Sequence, residues 1–157
     1  MRGTVREIFR QYVEAVREFV VASGRCYLRG WPDREAAIAV TTRMGHLNCD
    51  LQLLRLDYLA DNDLLEPEAC KSIDAIYDRL WKSWQDGDDA ALKGQSERYR
   101  DVLARLDAER AVLDSPALDG PSRDAMRDPE YLKAGEDLRQ KYWALDARLQ
   151  NAVSNGA

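Results

Sequence analysis

The stretch Ile38–Ala60, "IAVTTRMGHLNCDLQLLRLDYLA", decides the fold. On a helical wheel at 100° per residue, Ala37, Val40, Met44, Leu47, Leu51, Leu54 and Tyr58 form one stripe about a quarter-turn wide. Opposite them lie Ile38, Thr42, His46, Cys49, Leu53 and Leu56, a second mostly apolar strip. Arg43, Asp50 and Asp57 fill one boundary between the strips, Asn48 and Gln52 the other. An ordinary surface helix has one apolar face. A helix with two must be covered on both sides, by its own chain or by a second copy.

Working outward, the first helix opens at "TVRE", where Thr4 and Glu7 can form a capping box, and Gly24 reads as its stop. Its Val5, Ile8, Phe9, Tyr12, Val16, Phe19 and Val20 share a face, and Arg6, Arg10, Glu14, Arg17 and Glu18 read as the solvated one. Three further starts place proline in a first turn with an acid beside it: Pro32–Asp33, Pro67–Glu68 and Pro129–Glu130. These predict helices over Pro32–Ala60, Pro67–Gln85 and Pro129–Val153, with another over Asp88–Leu113. Ile73, Tyr77, Leu80 and Trp84 of the third, Leu92, Tyr99, Leu103, Leu106 and Leu113 of the fourth, and Leu138, Tyr142, Leu145 and Leu149 of the last form seams for mutual packing.

The expected fold is all-α: a single domain over residues 1–157, built as an antiparallel bundle of about five helices, four long and one intermediate, without a sheet. The Pro/Gly/Asp-rich stretch 114–128 reads as a long loop, with room for a short helix after Pro121, and 154–157 as a disordered tail.

Charge narrows the partners. Residues 1–60 hold nine Arg against seven acids, whereas residues 61–157 hold fourteen bases against twenty-one acids, for −5 overall. A non-specific nucleic-acid or anionic-membrane binder needs a concentrated basic patch, so neither is expected. Cys26, Cys49 and Cys70 are odd in number and lack C-x-x-C spacing, as in a reducing, cytoplasmic setting. The charge-interrupted amino terminus resembles neither a signal peptide nor a membrane span.

His46, the single histidine, precedes Cys49 and Asp50 by one helical turn, so a metal or nucleophile site has to be weighed. One helix supplies at most three ligands there, and nothing in that arrangement lowers the thiol pKa. A packed histidine is the better reading, with no metal and no cofactor. "DGDDAALKGQSE", Asp86–Glu97, has Ala91 where a calcium loop needs glycine, so its acids read as helix caps. Glu-x-x-His, C-x-x-C-H, Walker and G-x-S-x-G strings are all missing.

What remains is a non-catalytic protein-interaction module of accessory, assembly, inhibitor or immunity type, acting on another protein or on itself. Its contact residues are expected to be Ile38, His46, Cys49, Leu53 and Leu56 of the second strip, with Trp81 and Trp143 at stripe margins. Two alternatives stand beside it. One is a helix-turn-helix DNA binder over residues 38–65, turning at Gly45 and using Arg43 and Arg55. The other is a small-molecule pocket around His46.

Overall fold

The computed structural model describes residues 2–27, 34–85, 87–113 and 127–155. These form six α-helices: α1 (Arg2–Tyr27), α2 (Arg34–Asp61), α3 (Ile73–Gln85), α4 (Asp88–Gln95), α5 (Glu97–Leu113) and α6 (Pro129–Ser154), with one 3-10 turn at Pro67–Cys70. No strand occurs among the described residues, and the all-α bundle holds. Trp31, Pro32, Asp33, Asp86 and most of the expected loop, residues 114–126, lie outside them. Ser154 belongs to α6 and Asn155 caps it, so only residues 156–157 of the expected tail are undescribed.

α2 runs through Gly45 without interruption, which removes the turn that a helix-turn-helix over 38–65 requires. Its two strips each enter a separate cluster. Cys49, Leu56, Leu59 and Ala60 join Val5, Ile8, Phe9 and Val13 of α1, Ile73, Ile76 and Leu80 of α3, and Leu145 and Leu149 of α6. On the other side, Leu51, with Met44, Leu47 and Leu54, packs on Leu92, Tyr99, Val102 and Leu106 of α4 and α5. Tyr58 touches both clusters. The Cys49, Leu53 and Leu56 part of the second strip is therefore covered within the chain, while Ile38, Thr42 and His46 stay half-buried.

Four helices stand side by side in the order α6, α1, α2, α5, each antiparallel to the next. The register is fixed by Lys141 to Glu18 and Arg148 to Gln11 between α6 and α1, by Arg6 to Asp61 and Arg17 to Asp50 between α1 and α2, and by Arg43 to Glu109 between α2 and α5. α5 thus packs on α2, not in the seam with the third and last helices that its stripe suggested. Arg6 and Arg17 also depart from the solvated-face expectation, since both are partly buried against acids of α2.

Two glycines explain how closely α1 approaches. A Cβ on Gly45 would run into Val20 Cγ1, and one on Gly24 would lie 3.4 Å from Thr41 Cγ2. Gly24 is accordingly a contact inside α1, which continues to Tyr27 instead of stopping there. α2 ends where Asp63 takes φ 57°, Leu64 N–H donating to Leu59 O at 2.8 Å, a left-handed termination that Asp tolerates better than bulkier residues.

Two other boundaries differ from expectation because serine caps intervene. Pro67 starts only the 3-10 turn; α3 begins after Ser72, whose hydroxyl accepts from Ala75 N–H at 3.0 Å, while Asp146 of α6 accepts from Ile73 N–H at 2.8 Å. The expected Asp88–Leu113 helix breaks at Ser96, extended at φ −120° and accepting from Tyr99 N–H at 3.1 Å. Trp84 is not core: α3 buries Ile73, Ile76, Leu80 and Ser83, and its last turn overhangs the cluster.

Candidate functional site, a tryptophan-edged groove

α1 and α3 lie against the same side of α2, and between them runs a groove floored by Gly45, Asn48, Cys49, Gln52 and Arg55. Val13, Val16 and Val20 form the α1 wall, and Tyr77, Asp78 and Trp81 form the α3 wall. Its two lobes, of about 250 Å³ and about 240 Å³, share Gln52 and Tyr77. The polar boundary that the wheel gives to Asn48 and Gln52 is thus the floor of a concavity. At the α3 end, Trp81 and Trp84, one turn apart, bring their ring centroids to 5.0 Å while remaining 60% and 49% exposed.

The walls are held from behind. Tyr77 packs on Phe9 and edge-on to Tyr12, with centroids at 5.1 Å and 6.0 Å. Arg55 donates from Nε to Tyr99 Oη at 3.1 Å and faces Asp89 at 3.5 Å, while the Tyr99 hydroxyl donates to the same carboxylate. Asp89 is buried. It is more than the helix cap expected of it, because it balances Arg55 inside the bundle. Arg43 is likewise occupied by Glu109. Both bases of the DNA-binding alternative are thereby engaged within the chain.

Burial sets the chemistry of the groove. It pushes the Cys49 thiol up, against the opposing pull of Arg17, so the sulfur stays protonated at neutral pH and is a poor nucleophile. Burial, then the neighbouring Tyr12 and Cys49, holds the Tyr77 phenol well above its ordinary value. Burial also lowers the Arg55 guanidinium, even with Asp89 opposing that shift. The lining holds one thiol kept neutral, two carboxamides and three valines in one lobe, with Arg55, Asp78, Tyr77 and Trp81 in the other, a set suited to binding.

The expected contact residues are scattered. Leu56, 1% exposed, is core and out of a partner's reach, which corrects that expectation, and Cys49, 5% exposed, shows only an edge at the groove floor. Leu53 is partly buried against the same cluster. Ile38 and His46 are half-buried on α2, and the groove lining does not include His46. Asp50 pairs with Arg17 instead of turning to His46. Cys49 and Trp81 do share the groove, whereas Trp143 stands apart on α6 at 56% exposure. Trp84, Gln52, Tyr77 and Asp78 were not foreseen as site residues. The aromatic pair at positions 81 and 84 was a readable signal, since residues three apart on a helix are neighbours.

Comparison with protein-family models, with curated proteins and with solved structures gave no match. No helix among the described residues is long and apolar enough to cross a membrane.

Proposed function

We propose that this chain is a non-catalytic protein-binding module, of accessory, assembly, inhibitor or immunity type, whose docking site is the groove edged by Trp81 and Trp84. The observation that carries the reading is the pair of adjacent tryptophans, about half exposed, at the α3 edge of the groove. Tryptophan is the residue most often found to dominate binding energy at protein interfaces. Large exposed apolar side chains that are adjacent, not single, mark interaction sites. The fitting occupant is a helix of another protein that lays aliphatic side chains along Val16, Val20 and Tyr77, the helix-in-groove mode. Three buried thiols suit a reducing compartment, hence a cytoplasmic setting.

A second reading has its own observation. Leu132 and Trp143 are 54% and 56% exposed and, eleven residues apart, return to one face of α6, as a self-association surface would require. Light scattering of wild type and Trp143→Ala distinguishes it from the first.

The test of the main reading introduces a photo-crosslinking side chain at position 81, at 84, or at Arg105 on the far helix α5. Discrete adducts with one protein at 81 and 84, and none at 105, are expected. Trp81→Ala with Trp84→Ala should weaken capture of that protein by at least roughly 30-fold, since a single anchor of this kind contributes about 2 kcal/mol. Equal capture by wild type and the double variant, with helicity retained, would refute the proposal.

A further inference from the structure

α6 carries four exposed side chains on one narrow face: Leu132, Glu136, Arg139 and Trp143. At 100° per residue they fall within about 60° of arc, and Leu132 and Trp143 stand about 16 Å apart along the axis. Followed from the amino-terminal end, the face is apolar, acidic, basic, apolar; followed from the other end, it is apolar, basic, acidic, apolar. It is its own complement in reverse. We propose that α6 pairs antiparallel with α6 of a second copy about a two-fold axis passing between Asp137 and Leu138; this rests on the self-association reading of Leu132 and Trp143 and adds the register to it.

Two independent features agree on that axis. The midpoint of Leu132 and Trp143 lies between residues 137 and 138, and so does the midpoint of Glu136 and Arg139. A single antiparallel register therefore sets each Leu132 on Trp143 of the second copy and each Glu136 opposite Arg139 of the second copy. Sliding the pair by one turn would face Glu136 with Trp143 in one direction, or Leu132 with Arg139 in the other. The wrong registers are thereby disfavoured as well as the right one favoured.

The charged residues are available for this contact, their side chains being 50% and 60% exposed. Within the chain, Arg139 donates from Nε and Nη2 to Glu136 Oε2 at 3.1 Å and 2.7 Å, and Gln140 donates to Oε1 at 2.9 Å. Those arginine bonds use one edge of the guanidinium, which leaves Nη1 for the carboxylate of the second copy. The four charges then alternate around the axis, each acid between two bases, and the intrahelical pair is kept. Self-complementarity within one helix is what an isologous contact demands, and binding to a different protein would not require it. α6 also ends the row of four helices, and a second α6 on this face continues the antiparallel alternation of that row.

The experiment measures the mass of the full-length chain by sedimentation equilibrium over a wide range of concentration. Wild type should form a dimer that Trp143→Ala dissolves. Glu136→Arg alone and Arg139→Glu alone each set like charges opposite one another twice in a homodimer, so each should weaken self-association by at least about tenfold. Mixing these two chains should restore a dimer at least as tight as that of wild type, because every facing pair is then opposite in sign. A folding defect could not be cured by mixing. Should either single variant lose helicity, the chain carrying both Glu136→Arg and Arg139→Glu keeps the intrahelical pair and must self-associate as wild type does. A dimer that Trp143→Ala dissolves but both single charge variants leave intact, or a mixture that stays monomeric, overturns the register while self-association through α6 stands. A wild-type monomer at every concentration, a dimer indifferent to Trp143→Ala, or a dimer lost in Trp81→Ala with Trp84→Ala overturns both.

Discussion

Gly45 is where sequence rules and the fold disagree about sign, and the disagreement can be measured. Replacing a mid-helix glycine by alanine ordinarily stabilises by about 1 kcal/mol, because glycine has more backbone freedom to lose. Here the new methyl would collide with Val20 Cγ1 and stand 3.2 Å from both Val20 Cβ and Cγ2. Rotating the valine offers little relief, since its branched Cβ is itself too close and its χ1 is stiff in a helix. α1 and α2 must instead move apart along a seam that also carries Arg17 to Asp50. Forcing a methyl into a packed contact costs about 1–3 kcal/mol. Set against the helix gain, Gly45→Ala should lose about 1 kcal/mol net, some 2–4 °C in Tm for a chain of this size. Gly94→Ala, in α4 with nothing within 4 Å of the added carbon, is the control and should gain stability. Removing the opposing methyls with Val20→Ala should make Gly45→Ala favourable again, a coupling visible in a double-mutant cycle read by urea unfolding. If Gly45→Ala stabilises as much as Gly94→Ala, or if the double variant is merely additive, the close approach of α1 is wrong.

Two further outcomes follow from the buried groups. Asp89→Ala leaves Arg55, whose side chain is 15% exposed, as an uncompensated charge in the bundle, so it should cost about 3 kcal/mol; thermal unfolding checks it, and a loss under 1 kcal/mol would contradict the pairing. Alkaline stability should fall as well: Cys49, Tyr12, Tyr77 and Tyr142 all have folded values raised by burial, so folded chains keep protons that unfolded ones release. Stability is then intact below the ordinary thiol value of 9.0 and declines as pH climbs past it and past the phenol value of 10.0. Urea midpoints from neutral pH upward test this, and a midpoint unchanged through strongly alkaline pH would contradict it.

The sandwiching of α2 was legible because a 3.6-residue period projects any stretch onto a cylinder, and two filled sides of that cylinder demand two neighbours. Which helices would cover them was not, since apolar stripes carry no address: the stripe of residues 92–106 fits α2 as well as it fits α6. The break at Ser96 was in fact written in "GQSE", a glycine followed by a capping serine, but the continuous apolar spacing through Leu92, Tyr99 and Leu106 masked it. Trp84 shows the opposite limit. Its wheel position matches the core of α3, yet the core ends before it does, and helix length relative to the cluster cannot be read from periodicity. Of the groove, Asn48 and Gln52 were visible as a polar boundary, Trp81 was marked as a marginal aromatic, and the opposing wall from α1 needed the tertiary fold.

Tyr58 touches both clusters, so α2 is the element that the two share. Amide protons in the middle of α2 can exchange with solvent only when both halves of the molecule come apart, so their protection measures the cost of global opening. α5 and α6, at the two flanks of the row, can each detach while the other half stays folded. The molecule accordingly loosens from its edges inward, with α2 as the last element to let go.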